Sequence, residues 1–238
     1  IDSRLKKISQ LQTNYSPDDK GMQQMLNEFE GSQALENITD SSPENSYKKK
    51  QAIYSSGNHP QKLFYIREGK VKTFISNDDG KELTIGLYSS GDFLGYKALL
   101  EGGTYKESAE AIDDCLVAEI PVESFNKLLY YNKEATGKII KLLAKNISQK
   151  EEQLLNIAYN SLRKRVATAL IMLLDKFRKP GEDVFSIQLS REDLANMAGT
   201  ATESLIRTLS DFKAEKLVEI NGGKISIINE KKLANMLN

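Results

Sequence analysis

Glu203 and Arg207 stand four residues apart in TATESLIRTL, a spacing that places both on one face of a helix. A glutamate can accept a hydrogen bond from the amino group of cytosine. An arginine can donate two bonds to O6 and N7 of guanine. Thr202 and Ile206 share the same outward part of the helix. These side chains suit the base edges of a major groove rather than the making or breaking of bonds. The alternative is an exposed helical ion pair, which contributes under ~1 kcal/mol.

The elements around them form a compact unit from Leu189 to Ile228. Ser190 has the chemistry of a helix N-cap, with Asp193 three residues on as a variant of the capping box. Leu194, Ala195 and Ala198 are expected to be buried, and Gly199 to stop the helix. Thr200 is expected to cap a second helix, with Glu203 as its partner. Leu205, Leu209 and Phe212 then recur at helical spacing and face inward. NGGKISII closes the unit as a short hairpin wing. Two short helices, a tight turn and a wing place one helix in a DNA groove, although a packing module can have similar elements. Thr200, Thr202, Glu203 and Arg207 are therefore candidate DNA contacts.

Composition narrows the other classes. With 238 residues, 39% hydrophobic and 28% charged, the chain is long enough for one large or two small domains with a sizeable core. No apolar run approaches a membrane span and no signal peptide is visible, so a cytoplasmic location without membrane contact is expected. Cys115 is the single cysteine, which excludes an internal disulfide and fits a reducing compartment. With His59 the single histidine, a zinc or iron–sulfur site held by one chain is not expected either. The net charge of +0 counts mildly against nucleic acid. Against that, Arg163, Lys164, Arg165, Lys176, Arg178 and Lys179 cluster before the helical unit, opposed locally by Asp175. They read either as phosphate contacts or as a solvated helix face.

Four zones follow along the chain. Residues 1–45 are polar and broken, with helical patches at Asp2–Gln12 and Gly21–Phe29. Residues 46–121 carry short apolar or alternating runs punctuated by glycine, with Asp79-Gly80 as a hairpin signal. Such a pattern predicts an antiparallel roll or barrel. Residues 122–179 are helical and free of proline. There Ile140, Leu143, Ile147, Leu154 and Ala158 (or Ile157) approximate a heptad seam, interrupted by Lys150 and Glu151. The seam can bury itself on a second copy of the chain or on the roll. Pro180-Gly181 introduces the last zone, 180–238. The predicted class is α+β: an antiparallel β-roll or jelly-roll sensor domain, a long dimerisation helix and a C-terminal winged helix-turn-helix.

That order resembles the CRP/FNR family of bacterial transcription regulators over residues 46–229. The resemblance is carried by YIREGKVK at Tyr65–Lys72, GDFLGY at Gly91–Tyr96, SAEAIDDCLVAEIP at Ser108–Pro121, LSREDLANMAG at Leu189–Gly199 and TESLIR at Thr202–Arg207. It implies a homodimer joined along the long helix, double-stranded DNA as the principal partner and RNA polymerase as a further one. Glu203 and Arg207 match the family's base-reading Glu-x-x-x-Arg. Thr202 stands where the best-known member has another base-contacting arginine, so only part of the family's TGTGA-like half-site is expected. Ser190 and Arg191 match positions that touch the DNA backbone.

The ligand positions implied by the same resemblance are Gly95, Tyr96, Lys106, Glu107 and Ser108. Tyr96 replaces the glutamate that holds the ribose in cyclic-AMP-binding members. Glu107-Ser108, or Lys106-Glu107, replaces the Arg-Ser pair that holds the phosphate. No arginine lies between Arg67 and Arg163. Lys106 offers a point charge, but Glu107 beside it opposes an anion. Cyclic AMP is therefore not expected, and no cofactor is assigned. Cys115 alone does not make the cysteine cluster of the iron–sulfur branch, and His59 alone does not make a haem site. IDSRLKK is similar to the last helix of a response-regulator receiver domain, which implies an upstream receiver in a longer chain; an ordinary amphipathic helix is the alternative.

A metal-dependent enzyme on the roll would need several histidines, and no nucleophile–base pair or phosphate loop is present. The chain is therefore not expected to be an enzyme. A small-molecule sensor or regulatory subunit without a DNA role remains the other reading, and DNA binding separates the two.

Overall fold

The structure is a computed structural model that describes residues 33–178, 181–182 and 184–237. The patches at Asp2–Gln12 and Gly21–Phe29 and the receiver-like IDSRLKK lie outside the described residues. A helical stretch at 33–40 leads into the first strand.

Alternation of apolar and polar residues builds two four-stranded antiparallel sheets. One has β1 (Glu44–Tyr47), β8 (Cys115–Pro121), β3 (Lys62–Glu68) and β6 (Phe93–Leu94) in that order. The other has β2 (Ala52–Tyr54), β7 (Ser108–Ala111), β4 (Lys70–Ser76) and β5 (Glu82–Ser89). Their facing sides enclose Phe64, Ile66, Val71, Leu94, Ala109 and Val117. The Asp79-Gly80 signal holds: Gly80 closes the β4–β5 hairpin by donating its N–H to Asn77 O at 2.9 Å. Gly69, between β3 and β4, has φ +93, and a Cβ there would come within 2.6 Å of Asp114 O. Only glycine fits that approach.

The helical zone is not continuous. Short helix α1 (Tyr96–Glu101) sits within the roll. The zone itself divides into α2 (Val122–Tyr131), α3 (Lys133–Tyr159) and α4 (Leu162–Phe177). Asn132 ends α2 and caps α3, its side chain accepting from Ala135 N at 2.8 Å. Asn160 and Ser161 take extended conformations, and Ser161 caps α4. The first turns of α3 pack on the roll, where Ile139 meets Leu63, Ile120 and Phe125. Beyond them the helix leaves the roll's core.

Helix α4 belongs to the C-terminal module. Val166, Leu170, Leu173 and Leu174 share one core with residues of the helix-turn-helix. The module therefore begins at Ser161, not at residue 180 as the proline–glycine signal implied. Its other elements are β9 (Ser186–Gln188), α5 (Arg191–Ala198), α6 (Thr202–Ala214), β10 (Val218–Asn221), β11 (Lys224–Ile227) and α7 (Glu230–Ala234). The strands form an antiparallel sheet in the order β10-β11-β9.

Candidate nucleic-acid interface

The turn between α5 and α6 is set by local chemistry. Ser190 Oγ accepts from Asp193 N at 2.9 Å and caps α5. Gly199 (φ +60) ends that helix in the left-handed conformation that favours glycine. Thr200 then donates its N–H to Ala195 O at 3.0 Å. This use of its backbone corrects one expectation: Thr200 closes α5 rather than capping α6. The N-cap of α6 is Ala201, which has no side-chain bond to give, and Glu203 has no capping role. Removing the hydroxyl that caps α5, in Ser190→Ala, should cost about 1 kcal/mol. A thermal melt should then fall by ~2–4 °C.

Helix α6 buries Leu205, Thr208, Leu209 and Phe212 and turns its other side outward. Glu203 and Arg207 are 87% and 82% exposed, with a loose 3.9 Å contact between them. Thr202 and Ile206 are exposed beside them. The four residues thus share one open face at the N-terminal half of the helix. Arg191 begins α5 at the foot of the wing, with Nη1 3.5 Å from Gly223 O in the β10–β11 turn. Ser190 is half-buried and its hydroxyl also donates to Asp193 Oδ2 at 2.5 Å.

The basic cluster is largely consumed inside the molecule. Arg163 pairs with Asp211 at 3.6 Å and with Glu215 at 2.7 Å, and lies 5.0 Å from the centre of the Phe212 ring. Arg165 Nη1 donates to Gly199 O at 2.8 Å. Lys176 pairs with Asp92, and Arg178 with Glu230 at 3.0 Å. These cations brace α4 against its neighbours. Lys179 lies outside the described residues.

The five ligand positions do not assemble into an anion cradle. Gly95 has φ +84 and precedes α1. Tyr96 is buried with Leu63, Ile120 and Phe125 against α3, where its hydroxyl accepts from Asn146 Nδ2. Burial, with Glu107 and Asp92 adding, pushes that phenol up to about 12. Lys106 is exposed and pairs with Glu101 at 3.1 Å. Glu107 accepts from Tyr54 at 3.4 Å, and Ser108 Oγ accepts from Ser56 N at 3.0 Å. The Tyr54 and Tyr105 rings stack with centroids 4.0 Å apart. A narrow open cleft beside them is lined in part by Gly95, Ala98, Lys106 and Glu107.

Comparison with known proteins follows this layout. A cyclic nucleotide-binding domain model matches residues 44–132, and a Crp-like helix-turn-helix domain model matches residues 164–236. The fumarate and nitrate reduction regulatory protein of Vibrio cholerae is 26% identical over 87% of this chain and 82% of its own length. The transcriptional activator protein Anr of Pseudomonas aeruginosa is 26% identical over 76% of this chain and 75% of its own. The chain belongs to the CRP/FNR family. As a member, it is a DNA-binding transcription regulator. The structure of FixK2 from Bradyrhizobium japonicum shares the fold, with TM-score 0.75, 23% identity and coverage of 83% of this chain and 98% of that one. This CRP/FNR protein presents Glu203 and Arg207 on the open face of its DNA module, and the Tyr54 and Tyr105 rings stack within its roll.

The long helix carries the remaining candidates. Ile140, Ile147 and Leu154 are 60%, 61% and 68% exposed and recur every seven residues. Ala158 is exposed on the same helix. Leu143 is half-buried and packs on the roll cluster. Leu155, which the heptad reading left out, is 56% exposed. Its signal was its position next to Leu154. No helix among the described residues is long and apolar enough to cross a membrane.

Proposed function

We propose that this regulator binds paired DNA half-sites as a homodimer, reads bases with Glu203 and Arg207, and relays its signal through the roll and α3 rather than through a bound cyclic nucleotide. The observation that carries the reading is the open Glu203–Arg207 face beside the wing. Ser190 and Arg191 fix the module on the phosphate backbone, because α5 begins beside the wing turn. The homodimer reading is supported by the seven-residue apolar stripe of α3 and by the two-fold symmetry of paired half-sites. The chain acts by binding, not catalysis, and RNA polymerase is the further partner that a transcription regulator of this type engages.

Selection of preferred sites from a random DNA pool tests the reading. The wild type should enrich a two-fold related motif with guanine–cytosine pairs in each half. Arg191→Ala should weaken all sequences by a similar factor and lower the salt slope by about one unit. Enrichment of no motif would favour a sensor without a DNA role.

The reading of the roll has its own measurement. Calorimetric titration with cyclic AMP should show no binding at micromolar concentrations. The reasons are the Tyr54–Tyr105 stack, the carboxylate of Glu107 and the lack of an arginine in the roll interior. A micromolar dissociation constant would mean that Lys106 or backbone amides cradle the phosphate after rearrangement.

A further inference from the structure

The DNA module does not hang freely from α3. Helix α5 sits on the outer face of the second sheet, and Leu87 and Ile112 of the roll join the module's core. At the centre of this contact is Lys72. On β4 it follows Val71, which points into the roll, and it stands opposite Glu110 of β7 in the sheet register. An outward lysine on a strand is ordinarily solvated. Here its side chain is 5% exposed.

Its ammonium group lies 2.5 Å from Asp193 Oδ1, 3.3 Å from Glu110 Oε1 and 3.5 Å from Glu82 Oε2. Asp193 belongs to α5, and its other oxygen accepts from Ser190, the cap of that helix. Bonds therefore run without a break from the roll to the residue before Arg191. Burial alone would raise the Asp193 carboxyl, but the bonds from Lys72 and Ser190 outweigh it and hold it below the usual range. Weaker clasps surround the centre. Asn196 Nδ2 is 3.5 Å from Glu82 Oε2, and Gln153 of α3 donates to Thr84 O at 2.9 Å. The docking leaves Glu203 and Arg207 open. It orients the reading face without covering it.

We propose that Lys72 is a positioning residue for DNA recognition. It gathers Asp193, Glu82 and Glu110 and so fixes the angle between the reading helix α6 and the long helix α3. In a dimer that angle sets the distance and direction of the two reading faces, which must match half-sites about one helical turn apart. This rests on the DNA-binding and homodimer readings above. Removing the cation does more than delete an attraction. It leaves three buried or half-buried carboxylates converging across the interface. Lys50 is the other cation that favours the charged form of Asp193.

The full-length chain serves for the test, with Lys72→Met, Asp193→Asn and the exchange Lys72→Glu with Asp193→Lys. Spin labels at Asp79→Cys and Ser210→Cys, both exposed sites, report the distance from roll to α6 in free protein diluted with unlabelled chain. The native Cys115 is buried. The distribution should be narrow in the otherwise wild-type chain, broad in either single variant and narrow again in the exchange. Affinity for a paired operator should fall about tenfold in the single variants, affinity for an isolated half-site by less than about threefold, and the exchange should restore the paired site. A merely structural role would lower both affinities together with the melting temperature. Should Lys72→Met fail to fold, Asp193→Asn carries the comparison, since it leaves the roll's own residues intact. Equal losses on both DNAs, an unchanged distance distribution in the single variants, or no rescue by the exchange would overturn the proposal. A wild-type chain that selects no DNA would end the DNA reading instead, while the distance distributions would still decide whether Lys72 holds the module.

Discussion

Ile147→Lys should convert the protein to a monomer and abolish binding to paired half-sites while leaving the chain folded. Ile147 is 61% exposed on α3, so a lysine there costs the single chain little. Association changes the balance. Ile140, Ile147 and Leu154 recur at the coiled-coil interval, and a second copy of α3 laid along this stripe would bring the two Ile147 side chains into one seam. Two lysines in that seam would be unpaired charges in an apolar contact, costing ~3–5 kcal/mol. At about 1.4 kcal/mol per decade, the dimer dissociation constant should rise 100-fold or more. Sedimentation measures the assembly, circular dichroism the fold and gel shifts the binding. A wild-type chain that sediments as a monomer at micromolar concentration while keeping specific DNA binding would refute this arrangement.

Arg207→Ala should cost roughly 1–3 kcal/mol on the preferred site and relax the preference at one guanine in each half. The side chain is 82% exposed and its contact with Glu203 is only 3.9 Å, so the fold does not depend on it. What the variant loses is a planar pair of donors that fits O6 and N7 of guanine. A phosphate contact would behave differently, since every sequence carries the same phosphates. The same random pool separates the outcomes. An unchanged motif with a uniform loss of affinity would remove Arg207 from the base-reading face.

The local features of the site were legible because local residues make them. Ser190 caps α5 through a bond to a residue three positions away, and Gly199 ends it with its own left-handed backbone. Leu205, Leu209 and Phe212 are buried because helical periodicity aligns them. The Asp79-Gly80 hairpin and the strand alternation of the roll work at the same range. Thr200 departs from the capping pattern within this range. The left-handed turn at Gly199 uses the next N–H to close α5, and that moves the start of α6 one residue on. The break at Asn160-Ser161 carries no proline or glycine mark, because Asn and Ser stand at the caps.

The sequence by itself determined the order of elements, the residue types on the outward face of α6 and the absence of arginine between Arg67 and Arg163. Each follows from residue type or from spacing along one element. Only the tertiary structure decided that Tyr96 faces α3, that Leu143 packs on the roll, that arginines of the basic cluster brace α4, and that Lys72 is buried at all. Lys72 meets Asp193 across 121 residues of chain. A lysine on a solvated strand face and the same lysine beneath a docked helix read identically in sequence. Burial and ion pairing depend on which surfaces meet, and no periodicity along one element encodes that.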